Sequence, residues 1–281
     1  MEKPQWGNPN DFSLCFRIAE KKYAIDFLKK GNIKFGLPRN WVLKVETEGI
    51  GRGDPFEGAI AGFNCFDLMH LSEFRRKYSG EQFESHCVDG TVYIKRSPAM
   101  DLPCFCLFTL RNSSFVCPQE CGKQQLSTYI SSDLFRDFCG EMTEEEYLLL
   151  PENEKPAIVV IEDFVAFREK MCSSLMELGI KREEILVRQI CYYDFHKYGK
   201  YSWFDLDCSF PYELTYKNIS FEHQSECRFI INSKSREAMD YLKKNIVSIG
   251  SLEGIAQMMN EYPLQGLNVV LTGNVELSRN Q

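Results

Sequence analysis

Glu226 lies where a polar, titratable stretch of this 281-residue chain runs straight into an apolar one. Residues 221–231 read FEHQSECRFII, and on a strand Gln224 and Glu226 would share one side. A carboxylate in that position could act as a general base or stabilise a developing positive charge, while the carboxamide could orient a hydroxyl. The alternative is a solvent-facing strand start at which Glu226 only pairs with Lys217 or Arg228.

Arg17 is a charged residue among apolar neighbours, in the run LCFRI at positions 14–18. If that run is a strand, the guanidinium could point across one face of a sheet into a cleft. Its planar fork binds two oxygens at once, which suits a pyrophosphate or a carboxylate. The alternative is an outward-facing charge on an edge strand.

The loop GRGDPFEG at positions 51–58 places both signs of charge among three glycines, through Arg52, Asp54 and Glu57. It is not a phosphate-binding P-loop, because no Lys-Ser or Lys-Thr pair follows it. Asp54 and Glu57 could contribute to a metal site, although a third ligand is missing. We favour the simpler interpretation, a turn that Asp54 stabilises ahead of Pro55.

Twelve cysteines are present, and their irregular spacing favours reduced thiols in a cytoplasmic protein over a disulfide framework. Most would be buried as small hydrophobes. Cys104, Cys106, Cys117 and Cys121 fall within 18 residues and could hold zinc, but they lack the paired C-x₂-C spacing of a zinc ribbon. We expect Cys104 and Cys106 to face one side of a strand with Phe105 opposite, and we favour buried thiols.

The composition excludes several classes of protein. Lys and Arg total 33 against 40 Asp and Glu, a formal net charge of −7, which disfavours a broad nucleic-acid-binding surface. No apolar run approaches the roughly 18 residues of a membrane-spanning helix, and the first residues lack the apolar core of a signal peptide. Secretion and membrane residence are therefore not expected, and the expected location is cytoplasmic.

The pattern of apolar and breaker residues predicts the elements that must position these side chains. Strands are predicted at 12–18, 32–35, 91–95, 104–110, 157–161, 185–195, 227–231 and 267–271, and helices at 20–30, 164–178, 235–245 and 251–260. Residues 126–138 are predicted to pass from a strand into a helix, and residues 36–62 to form loops rich in Gly and Pro.

These elements predict an α+β fold. Strands and helices alternate irregularly, several connections are too short for a parallel crossover, and no Gly-, Ser- or Pro-rich linker divides the chain. We expect a single mixed domain over residues 1–281, with a central, largely antiparallel sheet flanked by helices. Residues 232–281 are a candidate C-terminal layer appended to it.

Arg17 and the Gln224–Glu226 pair together resemble the ADP-ribosyltransferase fold. That family opens with a strand whose Arg or His grips a dinucleotide, and a late strand begins with a catalytic Glu, often in a Gln-x-Glu motif. Here Arg17 precedes a predicted helix, and Gln224-Ser225-Glu226 precedes a predicted strand. The family's central Ser-Thr-Ser motif is matched at two of its three positions, by Ser127 and Thr128.

The resemblance implies an enzyme that uses NAD as its substrate. Glu226 would stabilise the oxocarbenium-like state formed when the nicotinamide–ribose bond breaks, as in glycoside hydrolysis, and Gln224 would orient the acceptor. Arg17 would hold the pyrophosphate, and no metal ligand is assigned. The candidate cofactor-binding residues are Arg17, Ser127, Thr128 and Arg52.

A second resemblance is to a large, poorly characterised group of bacterial proteins. Its members share an Asp-Pro-Phe-Glu run, a V-x-Y-x-D-like strand and a late Lys, Phe and Glu-x-Arg pattern. The corresponding features here are residues 54–57, a looser match over 187–194, Lys217, Phe221 and residues 226–228. No settled activity follows from this likeness.

The expected function is an ADP-ribosyltransferase-like enzyme that transfers ADP-ribose to an unidentified acceptor or to water. Its partners would be a nucleotide small molecule and an unknown acceptor macromolecule, with no membrane and no broad nucleic-acid surface. Two alternatives stay open. One is a metal-dependent nuclease built on Asp54, Glu57 and Glu226, and the other is a non-catalytic nucleotide-binding or sensor domain of a bacterial stress or defence system.

Overall fold

The structure, a computed structural model, describes residues 14–48, 53–111, 115–116, 125–194, 210–259 and 266–272. Its strands are β1 (Leu14–Glu20), β2 (Asn32–Ile33), β3 (Ala59–Asn64), β4 (Phe83–Val88), β5 (Thr91–Arg96), β6 (Cys104–Leu110), β7 (Gln125–Ile130), β8 (Pro156–Ile161), β9 (Ile185–Gln189), β10 (Cys191–Tyr193), β11 (Tyr216–Asn218), β12 (Glu226–Ile231), β13 (Val247–Ser248), β14 (Ala256–Met259) and β15 (Leu267–Thr272). Its helices are α1 (Lys21–Lys30), α2 (Pro38–Glu48), α3 (Leu68–Lys77), α4 (Ser132–Cys139), α5 (Glu144–Leu149), α6 (Phe164–Glu177) and α7 (Arg236–Lys244). None of the helices in these ranges is both long enough and apolar enough to cross a membrane.

A six-stranded sheet in the order β14-β8-β1-β6-β12-β9 organises the molecule, and every neighbouring pair in it is antiparallel. Its register places Phe16 of β1 opposite Phe108 of β6, and Phe108 opposite Glu226 of β12. Residues directly opposite one another in antiparallel strands project from the same face of the sheet. The predicted α+β class, with a largely antiparallel central sheet, is confirmed.

The two faces of this central sheet carry different cores. On one face, called here the α1 face, α1, α6 and α7 pack with buried strand residues such as Cys15, Phe105 and Phe229. On the other, the α4 face, Phe16 and Ile18 of β1 pack with α4 and the β7–β15 pair. Alternation along each strand therefore decides which core a side chain enters.

A smaller antiparallel sheet in the order β3-β5-β4 packs against α3 around its own cluster of buried side chains. Residues 54–57 form a turn directly before β3, and this turn is tied to β5 because Lys95 Nζ donates to the Pro55 carbonyl at 2.8 Å. The smaller sheet thereby holds the turn against the α4 face of the central sheet.

The C-terminal segment, in its described part, contributes to the main core. Helix α7 places Leu242 in the cluster on the α1 face, and β14 pairs with β8 at the edge of the central sheet. The helix predicted over 251–260 is wrong, because Ala256–Met259 is extended along β8. Backbone pairing with a sheet edge and burial of Ala256 outweigh local helical preference there.

The loop predicted over residues 36–62 is wrong on both sides of the turn at 54–58. Helix α2 occupies Pro38–Glu48 and β3 occupies Ala59–Asn64. Pro38 is the first residue of α2, where a backbone N–H has no partner in the helix and the fixed φ of proline suits helical geometry. Pro38 therefore starts a helix instead of breaking one.

Candidate functional site

A cavity of about 250 Å³ opens on the α4 face of the central sheet. Its walls come from α2, the turn before β3, β6, α4 and the start of β12. Four of its lining residues carry a carboxylate and three are Lys or Arg, so the cavity concentrates charge of both signs. The lining residues are Trp41, Lys44, Gly53, Asp54, Glu57, Cys106, Phe108, Leu134, Asp137, Phe138, Lys217, Gln224, Glu226 and Arg228.

Glu226 is placed by a sharp change of backbone direction just before β12. Residues Ile219–Gln224 form a 3₁₀ helix whose first turn is capped by the side chain of Asn218. Ser225 then takes the left-handed conformation with φ 41°, which is uncommon for a residue other than glycine. The N–H of Glu226 donates to Tyr192 Oη at 2.8 Å, which fixes the start of the strand.

Two buried basic side chains hold the carboxylate of Glu226. Lys217 Nζ lies 3.0 Å from Oε1, and Arg228 Nη2 lies 3.2 Å from Oε2. Burial alone would raise the pKa of Glu226, but the attraction of Lys217 and Arg228 lowers it below its usual value. The group is therefore ionised at neutral pH. The pairing named as the alternative in the sequence does form, but Glu226 is only 7% exposed, so the strand start does not face solvent.

Arg228 joins Glu226 to the turn before β3. Its Nη1 donates to Glu57 Oε1 at 2.5 Å and to the Leu214 carbonyl at 2.7 Å, and its guanidinium lies 4.8 Å from the centre of the Trp41 ring. Burial alone would lower the pKa of Arg228, yet Glu57 and Glu226 raise it well above its usual value. Removing one partner of such a buried pair typically costs about 3–5 kcal/mol, so the cavity wall is rigidly held.

Gln224 bridges two sides of the cavity instead of facing it with a free amide. Its Oε1 accepts from Lys217 Nζ at 2.5 Å, and its Nε2 donates to Asp137 Oδ2 at 2.6 Å. His223 Nε2 is also 2.6 Å from Asp137 Oδ2, and this hydrogen bond raises the pKa of His223. The carboxamide therefore links β11, through Lys217, to α4, through Asp137.

Asp54 forms the turn that the sequence predicted. Its Oδ1 accepts from the N–H of Phe56 at 2.8 Å, which is the expected cap ahead of Pro55. The residue is 2% exposed, and burial, with Glu57 adding to it, raises the pKa of Asp54 to about 6. The turn is thus both a backbone cap and a part of the cavity wall.

Asp54, Glu57 and Glu226 do not converge as a metal site. Arg228 lies between Glu57 and Glu226 and bonds to both, so a guanidinium takes the position that a shared cation would need. Across the residues that the structure describes, no group of three or more His, Cys, Asp or Glu side chains is arranged to hold a metal ion.

Arg17 lies on the other face of the central sheet. Its guanidinium carbon is 4.9 Å from the centre of the Phe27 ring and 5.1 Å from that of Phe105, both in the core of the α1 face. Burial lowers the pKa of Arg17 to about 10. The expected role of Arg17, holding the pyrophosphate of a dinucleotide bound at Glu226, is therefore wrong. Arg17 alternates along β1 with Phe16, which faces the same side as Glu226.

Ser127 and Thr128 do lie on a strand, but not on one of the central sheet. Strand β7 pairs with β15, with Ser127 opposite Val270 and Thr128 opposite Val269. Neither residue is among those that line the cavity. The expected placement of a Ser-Thr motif beside Glu226 is thus not found.

Several predicted residues fall outside the described part of the chain. Arg52 is one, and Cys117 and Cys121 are the others, so their roles stay predictions. Cys104 and Cys106 face the α4 side and Phe105 faces the α1 side, as the sequence indicated.

The cavity residues that the sequence did not single out include Asp137 and Trp41. Asp137 follows Leu134 by three residues, so both project from the same face of α4, and this spacing of a carboxylate from a buried apolar residue was a usable signal. Trp41 gave no such signal, because the helix that carries it was not predicted.

Comparison of the chain with protein-family models, with curated proteins and with solved structures found no match. The function must therefore follow from the geometry and chemistry of the cavity.

Proposed function

We propose that the cavity around Glu226 is the active site of an ADP-ribosyltransferase-like enzyme, which cleaves the nicotinamide–ribose bond of NAD and passes ADP-ribose to an acceptor or to water. The observation that carries this proposal is a buried, ionised carboxylate at the start of β12 that lines a cavity beside Gln224. The Gln-x-Glu spacing at a strand start is the arrangement expected of that fold.

The proposed reaction breaks the bond between ribose C1′ and the nicotinamide nitrogen, and the electron pair leaves with the nitrogen as neutral nicotinamide. C1′ then bonds to the oxygen of water or of an acceptor hydroxyl, whose proton is released. Between these events the ribose carries positive charge, which the carboxylate of Glu226 would stabilise. Its two hydrogen bonds leave room for this, since an ionised carboxylate offers about four acceptor sites.

Gln224 acts in this proposal as a positioning residue. Both ends of its carboxamide are engaged, one by Lys217 and the other by Asp137, so it sets the places of those two groups. Asp137 lines the cavity and is held at Oδ2 by Gln224 and His223. It is the better placed group for orienting an acceptor hydroxyl, the role that the sequence assigned to Gln224.

The charge and size of the cavity support a cationic, sugar-linked ring as ligand. Carboxylates outnumber basic side chains in its lining, which suits the pyridinium ring of NAD and the ribosyl cation. The volume, about 250 Å³, lies below the range of roughly 300–1,000 Å³ typical of pockets for drug-sized ligands. We therefore assign it the nicotinamide and ribose, with the rest of the dinucleotide outside. Arg17 has no part in this proposal.

The test is release of nicotinamide from NAD by the purified chain, measured by chromatography in the presence of a chelator. We expect turnover by the wild type and a loss of about 100-fold or more in Glu226→Gln. The matched control is Glu222→Gln, the same chemical change on an exposed residue four positions earlier, which should keep wild-type turnover. Thermal unfolding of both variants shows whether they are folded.

Wild-type turnover that is undiminished in a folded Glu226→Gln variant would overturn the role of Glu226. Turnover that needs a divalent cation and acts on nucleic acid would favour the nuclease alternative. A third outcome is binding of NAD without turnover, which would favour a non-catalytic nucleotide-binding domain. The non-catalytic alternative is supported by one observation, which is that both oxygens of Glu226 already bond to basic groups.

We further propose that the protein works in a reducing cytoplasm. Every cysteine that the structure describes is a free thiol. Burial raises the pKa of several of them, and it raises that of Cys106, in the cavity wall, to about 12. Thiols of this kind are stable where disulfides do not form.

A further inference from the structure

Asp54 lies in the cavity wall with one carboxylate oxygen in use and the other unused. Oδ1 accepts from the N–H of Phe56, whereas Oδ2 is buried and has no hydrogen-bond partner in the described structure. The residue lines the cavity and is 2% exposed. Buried polar atoms without a partner are rare in folded proteins, so Oδ2 needs a donor that the described residues do not supply.

The basic side chains whose charges act on Asp54 direct their hydrogen bonds elsewhere. Lys95 Nζ donates to the Pro55 carbonyl at 2.8 Å, and Lys217 Nζ donates to Gln224 and Glu226. The carboxylate of Glu57 carries a like charge and repels that of Asp54. The unused oxygen is therefore suited to a neutral or cationic donor and unsuited to an anion.

The cavity also has an aromatic lining residue. Trp41 and Asp54 both line it, and the N–H of Asp54 donates to the backbone carbonyl of Trp41 at 3.2 Å. An aromatic lining residue suits a flat heteroaromatic ring, and the unused acceptor suits an N–H donor on that ring.

We infer that Asp54 Oδ2 accepts a hydrogen bond from the carboxamide of the nicotinamide ring, and thereby makes the cavity selective for NAD over its deamidated analogue, nicotinic acid adenine dinucleotide. This inference rests on the proposed function. In the analogue a carboxylate replaces the carboxamide, so the donor is lost and a third negative charge meets Asp54 and Glu57. Loss of a required donor and repulsion between like charges both reject the analogue.

The experiment measures kcat/KM and Kd of the full chain for the two dinucleotides. For the wild type we expect a preference for NAD of about 100-fold or more. Asp54→Asn keeps the side-chain shape and the acceptor for Phe56, and its amide can donate to a carboxylate. In that variant we expect weaker use of NAD and a preference that falls at least about tenfold. The matched control is Asp163→Asn, where the same change is made at an exposed helix cap and the preference should stay as in the wild type.

The outcomes separate this inference from the function it rests on. If the wild type turns over NAD but treats both dinucleotides alike, the role of Asp54 is overturned while the proposed function stands. The same holds if a folded Asp54→Asn variant keeps the full preference. If the wild type neither binds nor cleaves NAD, the proposed function and the inference are overturned together. If Asp54→Asn does not fold, the inference is tested by the wild type alone: a preference for NAD below about tenfold would overturn it.

Discussion

Asp54 keeps a negative charge in a place that disfavours it. Burial raises its pKa to about 6, Glu57 adds to the effect, and Lys217, Lys95 and the Phe56 N–H oppose it only in part. An aspartate in an unfolded chain titrates near 3.8. The native state therefore binds this proton more tightly than the unfolded state does, and ionisation at neutral pH lowers the free energy of unfolding.

Asp54→Asn should therefore stabilise the protein in a manner that depends on pH. A raised pKa of an acid means that stability is greatest at low pH and falls as the pH rises through the window from 3.8 to about 6. The variant lacks this loss, so its advantage should be small near pH 4 and reach on the order of 2 kcal/mol at pH 8. Urea unfolding at successive pH values measures it. Asp163→Asn makes the same change at an exposed helix cap and is the control, which should not gain stability as the pH rises. An advantage of Asp54→Asn that is independent of pH would contradict this prediction.

Residue-level predictions from the sequence succeeded where they depended on near neighbours. The spacing placed Gln224 and Glu226 together at a strand start and named Lys217 and Arg228 as partners, and all four line one cavity. The burial of these four side chains could not be predicted from the same segment. It comes from distant elements, as with Glu57, whose partner Arg228 is 171 residues away.

At the scale of elements, Gly31 shows how one residue fixes the end of α1 and the course of the chain after it. It takes the left-handed conformation with φ 63°, and its N–H donates to the carbonyl of Phe27. A Cβ at this position would lie 2.3 Å from the carbonyl oxygen of Gly250, and 2.7 Å from a side-chain carbon of Ile249. Glycine is needed here both for its conformation and for a close backbone approach.

Gly31→Ala should accordingly destabilise the protein more than Gly179→Ala does. Gly179, after α6, has φ 84°, but nothing lies within 4 Å of an added Cβ. Gly179→Ala therefore measures only the cost of the left-handed conformation for alanine, about 1–2 kcal/mol. At Gly31 the clash with the backbone of Gly250 adds to that, and we expect a total loss above about 3 kcal/mol. Denaturant unfolding of the two variants measures the difference. Equal losses would mean that the contact with Gly250 relaxes without cost.

Elements with strong local signals were predicted well, and those made by tertiary contacts were not. Helix α1 combines an amphipathic run with a glycine cap, and α6 repeats apolar residues at helical spacing up to Gly179. Strand β14 has no comparable signal. Its sequence AQMM is compatible with a helix, and only pairing with β8 makes it a strand.

At the scale of the whole molecule, the described residues build a core on each face of the central sheet and a separate core beside the smaller sheet. The largest core covers the α1 face of the central sheet. The separate, smaller core lies between α3 and the β3-β5-β4 sheet and holds five buried side chains, namely Ile60, Ala61, Phe63, Phe74 and Ile94. The turn with Asp54 and Glu57 leads into the smaller sheet, while Glu226 and Arg228 belong to the central one. This division was not visible in the sequence, because no linker or change of composition marks it.

The smaller core should open at a lower free energy than the larger one, since local stability follows the apolar area that an element buries. Strands β5 and β6 make a matched comparison, because each is an interior strand with a hydrogen-bonded neighbour on both sides. Native-state hydrogen exchange should therefore show the amides of β5 exchanging at least about tenfold faster than those of β6. Equal protection of β5 and β6 would mean that the two sheets open only together, as a single cooperative unit, and would contradict this prediction.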